Sequence, residues 1–281
     1  MKVIKTTNPK DIKPFAKKIR LPLSKSHKGQ NGKMLIVGGS QLFHSASLWS
    51  AEVASHFVDM VHYCSTEENN EIFLSLKKKF RNGIVVSRKE IDNYAEEDDV
   101  ILVGPGLERT KETKGLVDSL LTKHRNKKFV LDAGALQMMD VSLLKKLSQP
   151  AIVTPHQKEF EAMFGFSLYK DSEQNAASVR CTAEEENCVI LLKAIHDYVS
   201  DGSDEYMIEG GNQGLTKGGT GDILAGLVAS FYASSDGLSS AICASYILKR
   251  TADELSKDKG FWYNNSDILD TIPKVVNSIF L

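Results

Sequence analysis

The sequence predicts a single α/β domain in which a central, mostly parallel sheet is flanked by helices on both faces. Short, unbroken apolar runs recur along the chain, as expected for strands that are buried on both sides. Segments of helix length separate these runs, and this alternation is typical of parallel sheets. No linker rich in Pro, Gly or Ser, no low-complexity tract and no repeat of fixed period interrupts the 281 residues. The sequence therefore favours one domain.

The predicted strands are residues 34–37, 100–103, 129–131, 151–153 and 189–192. The predicted helices between them include residues 45–57, 112–124 and 157–164. The last third of the chain shows helical periodicity in residues 221–233, 239–255 and 266–280, so we expect a helical layer there. Residues 1–25 are basic and contain proline, which predicts a loosely held N-terminal arm before a domain that spans residues 26–281.

Composition excludes some classes of protein. The chain has 35 Lys and Arg against 36 Asp and Glu, so it carries no overall positive field for a nucleic acid. Its four cysteines form no CxxC pair, and we expect them to be reduced packing residues. No apolar run reaches the roughly 18 residues of a membrane span, and the N-terminus lacks the apolar core of a signal peptide. We therefore expect a soluble, cytoplasmic protein.

Small or polar residues directly follow four of the predicted strands. These clusters are Gly38-Gly39-Ser40, Gly104-Pro105-Gly106, Asp132-Ala133-Gly134 and Thr154-Pro155-His156. In open α/β sheets, ligands bind outside the carboxyl ends of the strands. We therefore expect the four clusters to converge on one crevice.

The most specific motif is Gly-Gly-Thr-Gly-Asp at residues 218–222, preceded by Lys217 and followed by an apolar helix. The glycines free the backbone to turn N–H groups toward an anion, and the helix adds the positive end of its dipole. Asp222 could cap the helix or accept a proton from a substrate hydroxyl. The chain contains neither a Walker A motif nor a protein-kinase glycine-rich loop. The motif thus predicts phosphoryl transfer of another kind, with Asp222 as the base.

The motif before its apolar helix resembles the anion-hole loop of the ribokinase-like superfamily. Five segments together resemble, in the same order, those of the ADP/ATP-dependent NAD(P)H-hydrate dehydratases: residues 27–40, 104–107, 131–136, 154–160 and 211–227. The resemblance implies a ribokinase-like fold and a carbon-oxygen lyase that repairs the hydrated (6S) form of NADH or NADPH. In that chemistry ADP or ATP phosphorylates the hydroxyl group, and loss of phosphate restores the nicotinamide ring. The preferred nucleotide and the preferred hydrate stay open.

The same resemblance assigns roles to individual residues. Asp222 is the implied catalytic base and a substrate contact, and the implied anion hole consists of Gly219, Thr220 and Gly221. The other implied substrate contacts are Ala46, Gly106 and His156. The implied nucleotide contacts are Lys193, Ala194, Ile195, His196, Asp197 and Gly221. Glu159 is implied to hold Mg²⁺ through water, and the resemblance further implies a homotetramer that works with a separate NAD(P)H-hydrate epimerase.

Simpler interpretations compete with several of these roles. His156 could be a surface loop residue, and Gly106 could belong to an ordinary turn at the end of a strand. Glu159 could be a first-turn carboxylate favoured by the helix dipole, and Lys193 could pair with a carboxylate. Asp197 stands where the family pattern has Thr, and its side chain would face a phosphate, the ribose hydroxyls or solvent.

The segment before the first predicted strand is also open to two interpretations. His27, Lys28 and Lys33 flank Gly29 and Gly32, so they would form either a basic flap over phosphates or a solvated charged face. The remaining histidines show no metal-ligand spacing and are expected to be structural: His44, His56, His62 and His124.

The main competing function is a kinase of the same superfamily that acts on a vitamin precursor or a sugar, since the Gly-Gly-Thr-Gly-Asp motif fits both activities. His156, where such kinases generally have Asn, favours the dehydratase. A non-catalytic nucleotide sensor would be expected to lack Asp222. An oxidoreductase is disfavoured because no GxGxxG fingerprint follows the first predicted strand.

Overall fold

The computed structural model describes residues 1–165 and 171–280. The strands in this part of the chain, β1 to β10, are Lys2–Lys5, Lys33–Val37, Met60–Cys64, Ile84–Val86, Val100–Val103, Lys128–Leu131, Ile152–Val153, Val189–Leu192, Asp197–Ser200 and Glu205–Glu209. They form one sheet in the order β1-β10-β9-β8-β7-β6-β5-β2-β3-β4. Strand β9 runs antiparallel to both neighbours, and the other pairs are parallel. The predicted, mostly parallel sheet is confirmed.

Helices cover both faces of this sheet. Those in the described residues, α1 to α11, are Pro9–Ala16, His44–Ala54, Glu67–Ser75, Ile91–Glu97, Lys111–Lys123, Gly134–Met138, Gln157–Phe164, Ser172–Glu186, Thr220–Tyr232, Gly237–Lys259 and Asn265–Phe280. Successive residues of β2 face opposite sides. Met34 and Ile36 join an apolar cluster with α9 and α10, whereas Leu35 and Val37 join one with α5 and α8. The sheet is therefore the middle layer of three.

Most predicted elements lie close to their predicted positions. Residues 100–103 and 189–192 are β5 and β8 without any shift, and residues 157–164 are α7. The predicted C-terminal helical layer is α9, α10 and α11, in which α10 packs against both of the others. The cysteines are free, and all but Cys181 are buried. Within the described part of the chain, no helix has the length and apolarity that a membrane span needs.

The N-terminal residues are not a loosely held arm. Strand β1 pairs in parallel with β10 at the edge of the sheet, and α1 packs against α10. Ile4, Ile12 and Phe15 are buried in the same cluster as α9 and α10. The prediction of a loose arm overlooked this because a four-residue strand with lysines at both ends gives little apolar signal. From residue 20 to residue 30, the backbone does lie mostly on the surface.

The four strand-end clusters converge as predicted at the carboxyl edge of the sheet. A Cβ atom on Gly38 would lie 2.4 Å from the carbonyl oxygen of Pro105, so the first two clusters touch. Gly104 has φ +128°, and a Cβ atom there would lie 1.7 Å from the carbonyl oxygen of Asp132, so only glycine fits. The Thr154 hydroxyl donates to Asp132 at 2.9 Å, which joins the remaining cluster.

The basic segment around residues 27–33 lies at the opposite edge of the sheet. The N–H groups of Gly29, Gln30 and Asn31 all donate to the carboxylate of Asp59, which precedes β3. Gly32 packs against Ala233 at the C-terminal end of α9, so about 20 Å of helix separate it from residue 220. A flap over phosphates at the Gly-Gly-Thr-Gly-Asp loop of the same chain is therefore wrong. His27 and Lys28 are exposed, whereas Lys33 pairs with Glu97.

Candidate active site

The Gly-Gly-Thr-Gly-Asp loop forms the start of α9 at the carboxyl edge of the sheet. Gly219 is the N-cap residue with φ +99°, and a Cβ atom there would lie 2.0 Å from Nδ2 of Asn265. The first N–H groups of a helix have no acceptor within the helix, so this end favours an anion. The Thr220 N–H lies 3.4 Å from the carbonyl oxygen of Lys217 and is partly committed to the loop. Of the three residues predicted to form the anion hole, Gly219 and Gly221 therefore have the freer N–H groups, and the role itself stays a prediction.

Asp222 lies in the first turn of α9, and its pKa is raised from 3.8 to about 7. Burial is the largest cause, because a desolvated carboxylate loses the stabilisation that water gives its charge. The carboxylate of Asp132 raises the pKa further, whereas Lys193 lowers it. The Ser50 hydroxyl donates to the Asp222 carbonyl oxygen at 2.8 Å and fixes this turn. A carboxyl group with a pKa near neutrality is suited to accept a proton from a hydroxyl group.

Lys193 forms an ion pair with Asp132 beside this carboxyl group. Its Nζ donates to Oδ1 of Asp132 at 2.6 Å, and the Asp132 side chain is only 2% exposed. Burial alone would lower the pKa of Lys193, but the carboxylates of Asp132 and Glu159 outweigh burial and raise it. The pairing of Lys193 with a carboxylate is thus observed. Asp132 had no predicted role in the site, although its position directly after a predicted strand indicated that it would lie at the crevice.

A cavity of about 530 Å³ opens beside Gly221 and the turn that joins β8 to β9. Its volume is typical of sites for small molecules and cofactors. All six residues predicted to bind the nucleotide line it: Lys193, Ala194, Ile195, His196, Asp197 and Gly221. Residues 210–213, Thr220 and Leu248 are among the other residues of the lining. The structure brings the predicted contacts together around one space, and nucleotide binding there stays a prediction.

The Asp197 carboxylate is buried against helix α10 and the turn before β9, so it does not face solvent, and its relation to a bound nucleotide stays a prediction. One carboxylate oxygen accepts the N–H of Ala194 at 3.0 Å and lies 3.4 Å from Nζ of Lys249. The other accepts the hydroxyl of Ser245 at 2.7 Å. Lys249 also donates to the carbonyl oxygen of Ile195 at 2.9 Å, so it holds the turn at two points. Lys249 was not predicted, because the groups that it contacts lie about 50 residues earlier in the chain.

His156 and Glu159 together cap the start of α7. The N–H of Glu159 donates to Nδ1 of His156 at 3.2 Å, and the N–H of His156 donates to Glu159 at 2.9 Å. The other carboxylate oxygen of Glu159 accepts Nε2 of Gln137 at 2.8 Å. His156 also bridges in parallel to Lys193, with half of its side chain exposed at the carboxyl edge. Both residues therefore lie beside the crevice, and their roles toward a substrate or Mg²⁺ stay predictions.

The predicted substrate contacts Ala46 and Gly106 adjoin each other. A Cβ atom on Gly106 would lie 3.0 Å from Cβ of Ala46, in the first turn of α2. Ser50, which holds Asp222, lies one turn further along α2, or about 6 Å along the axis. Helix α2 thus links the Gly106 loop to the carboxyl group that would act as the base.

Lys217 is turned away from the crevice, although it directly precedes the loop. Its Nζ donates to the carbonyl oxygen of Phe261 at 2.7 Å and lies 4.9 Å from the ring centroid of Tyr263. Lys217 is therefore a structural cation, and Lys193 is the ammonium group near Asp222. Among the residues the structure describes, no group of three His, Cys, Asp or Glu side chains is arranged to hold a metal ion directly.

Similarity to solved structures gives the class of this fold. A ribokinase-like superfamily protein from Enterococcus faecalis superimposes with a TM-score of 0.83 at 23% identity, covering 99% of this chain and 96% of that one. A hydroxyethylthiazole kinase from Pyrococcus horikoshii superimposes with a TM-score of 0.63 at 14% identity, covering 94% and 93%. The chain thus has the ribokinase-like α/β fold, which serves several chemistries.

Sequence similarity identifies the family of the chain, which the fold alone does not. A family model described as NAD(P)H-hydrate dehydratase matches residues 34–274, and the chain belongs to this family. A bifunctional NAD(P)H-hydrate repair enzyme from Methanocaldococcus jannaschii is 34% identical, and the match covers 92% of this chain and 51% of the relative. An ADP-dependent (S)-NAD(P)H-hydrate dehydratase from Cenarchaeum symbiosum is 31% identical, and the match covers 89% of this chain and 90% of the relative. The chain spans about half the length of the bifunctional relatives it matches.

Proposed function

We propose that the protein is an ADP- or ATP-dependent dehydratase of hydrated NADH or NADPH and so repairs damaged nicotinamide nucleotides. The observation that carries this proposal is the position of Asp222. Its carboxyl group has a pKa of about 7 and lies at the anion-favouring start of α9, beside the cavity lined by Gly221 and Lys193. Membership of the dehydratase family supports the choice of substrate.

In the proposed reaction, the hydroxyl group of the hydrate is first made into a better leaving group. Asp222 accepts the hydroxyl proton while the hydroxyl oxygen attacks the terminal phosphorus of the nucleotide. The N–H groups of Gly219 and Gly221 stabilise the charge on the transferring phosphoryl oxygens. Phosphate then leaves with the hydroxyl oxygen, and a proton leaves the neighbouring ring carbon, which restores the double bond of the nicotinamide ring.

We propose that Glu159 would hold Mg²⁺ through water next to the bound nucleotide. Both Glu159 oxygens already accept hydrogen bonds, from the N–H of His156 and from Gln137, which fits contact through water. Mg²⁺ usually keeps several waters and binds one or two carboxylates plus phosphates. The ion would neutralise phosphate charge. A solved structure of the Bacillus subtilis dehydratase, co-crystallised with ATP and Mg²⁺, supports only the combined use of a nucleotide and Mg²⁺, with a TM-score of 0.82 at 23% identity covering 97% of each chain.

Incubation with hydrated NADH, Mg²⁺ and either ADP or ATP tests the proposal. The expected result is recovery of absorbance at the nicotinamide band, with one nucleotide more effective than the other. A vitamin alcohol with ATP serves as the parallel substrate for the alternative kinase. Phosphorylation of the alcohol with no recovery of NADH under either nucleotide would contradict the dehydratase proposal and leave the kinase.

We further propose a homotetramer in the cytoplasm that works with a separate epimerase supplying the correct epimer of the hydrate. Symmetric assembly is common among such enzymes. The half-length match to relatives named as bifunctional supports a second activity in the same repair process. Light scattering during size-exclusion chromatography tests the tetramer, and a monomer at micromolar concentration would contradict it.

A further inference from the structure

Two side-chain contacts hold the Gly-Gly-Thr-Gly-Asp loop from the side of α11. Lys217 donates to the carbonyl oxygen of Phe261, in the segment between α10 and α11. Asn265, the first residue of α11, donates through Nδ2 to the carbonyl oxygen of Gly218 at 2.9 Å. The Lys217 contact lies before the loop, whereas the Asn265 contact is made to the loop itself. Asn265 can therefore act on the orientation of a loop peptide.

That contact determines which way the peptide between Gly218 and Gly219 faces. In a planar trans peptide, the carbonyl oxygen and the following N–H point in opposite directions. Because Asn265 holds the Gly218 carbonyl oxygen on the α11 side, the Gly219 N–H is directed to the other side of the loop. The space is filled as well, since a Cβ atom on Gly219 would lie 2.0 Å from Nδ2 of Asn265. The peptide is thus held in one orientation.

The hydrogen bond from Asn265 to Gly218 is expected to add little to the stability of the fold. Its side chain is buried, with 9% of the residue exposed, and its Oδ1 is buried with no hydrogen-bond partner among the described residues. A buried acceptor without a partner carries a free-energy penalty that offsets the gain from the bond on Nδ2. A leucine of similar shape would avoid that penalty but could not hold the Gly218 carbonyl oxygen. The effect of Asn265 is therefore expected on orientation and not on stability.

We propose that Asn265 is a positioning residue for phosphoryl transfer. Its amide orients the Gly218–Gly219 peptide before the substrates bind, so that the Gly219 N–H faces the transferring phosphoryl group. Donors oriented in advance stabilise developing charge without having to reorganise during the reaction. The inference rests on the proposed function, because it assumes that the start of α9 receives a phosphoryl group.

The test compares Asn265→Leu and Asn265→Ala with Asn277→Ala, which removes an exposed amide from the same helix. Initial rates give kcat and the KM values for nucleotide and hydrate, and thermal unfolding gives Tm. We expect kcat of Asn265→Leu to fall by about tenfold, less than the loss of a whole anion-hole donor would cost. The KM values of Asn265→Leu should stay within about twofold of those of the parent, and its Tm should stay close to the parent value. Asn277→Ala should match the parent in kcat, KM and Tm. The smaller alanine keeps the test valid if leucine does not fit.

Two results would overturn the inference. One is a kcat of Asn265→Leu within twofold of the parent, and the other is a parallel loss of Tm, kcat and substrate affinity, which would indicate a purely structural role. A parent enzyme without dehydratase activity would instead contradict the proposed function. In that case, binding of ADP with orthovanadate, measured by calorimetry, tests Asn265 alone. Binding about tenfold weaker in Asn265→Leu than in Asn277→Ala would support the inference, and equal binding would overturn it.

Discussion

Two aspartates near the same cavity have opposite surroundings. Asp197 accepts hydrogen bonds from the N–H of Ala194 and the hydroxyl of Ser245, and Lys249 supplies its counter-ion. For Asp222, burial and the carboxylate of Asp132 outweigh the effect of Lys193 and raise the pKa to about 7. A carboxylate with donors and a counter-ion shapes the protein, whereas a desolvated one beside a like charge is ready to take a proton. The different roles of the two aspartates therefore follow from their surroundings and not from the residue type.

Removing the counter-ion of Asp197 should have the largest effect. Lys249→Met leaves the buried carboxylate unpaired, so we expect the free energy of unfolding to fall by about 3–5 kcal/mol. The KM for the nucleotide should also rise, because Lys249 holds the carbonyl oxygen of Ile195 in the cavity wall. Denaturant unfolding and initial rates measure the two effects. Lys257→Met, on the exposed part of the same helix, is the control. An equal loss of stability in the two variants would show that the ion pair of Lys249 with Asp197 contributes no more than an exposed one.

Removing the proposed base should affect turnover and not folding. Asp222→Asn keeps the shape of the side chain but cannot accept the proton, so we expect kcat to fall by at least about a hundredfold. The KM for the nucleotide and the far-ultraviolet circular dichroism should stay close to those of the parent. Asp258→Asn, on the exposed end of α10, controls for the loss of a carboxylate. Turnover within a few-fold of the parent would remove Asp222 from the mechanism.

The dependence of the rate and of the stability on pH should be the smallest effect, and it should change gradually with pH. Since the base must be ionised, the rate should fall by about tenfold for each pH unit below the Asp222 pKa of about 7 and level off above it. The folded protein also holds the Asp222 proton at pH values where the unfolded chain has lost it, so this residue lowers stability as pH rises from about 4 to about 7. The Tm of Asp222→Asn relative to the parent should therefore rise across that window. A rate that does not change between about pH 5 and about pH 8 would contradict the assignment of Asp222 as the base.

The fold could be predicted where the apolar signal was continuous. The runs at 100–103 and 189–192 are central parallel strands, buried on both faces, so composition alone located them. Strands β1, β9 and β10 lie toward one edge and contain charged or polar residues, such as Lys2, Asp197 and Glu205. Strand β1 pairs with the distant β10, where Lys2 lies opposite Tyr206, so no local signal marks it as a strand. Strands β9 and β10 pair with strands that are adjacent in sequence, but their charged and polar residues interrupt the apolar pattern.

The site could be predicted to the extent that its residues sit in sequence motifs. The six predicted nucleotide residues line one cavity because they belong to two loops at the same edge of the sheet. Asp132, Lys249 and Asn265 were missed as site residues because each acts through a residue far away in the chain. Lys249 meets Asp197 and Asn265 meets Gly218 only after α10 and α11 have packed.

The position of β1 has a consequence for the order of folding. Among the described strands β1 pairs with β10 alone, and the Thr6 hydroxyl that follows it donates to Asp253, 247 residues further along the chain. Contacts of such long sequence separation form slowly, because a large loop must close first. During synthesis, strand β1 therefore has no partner until β10, at residues Glu205–Glu209, has emerged. Strand β1 is made before the other described strands but can join the sheet only after β10, so deletion of residues 1–6 should leave β10 an open edge exposed to other chains.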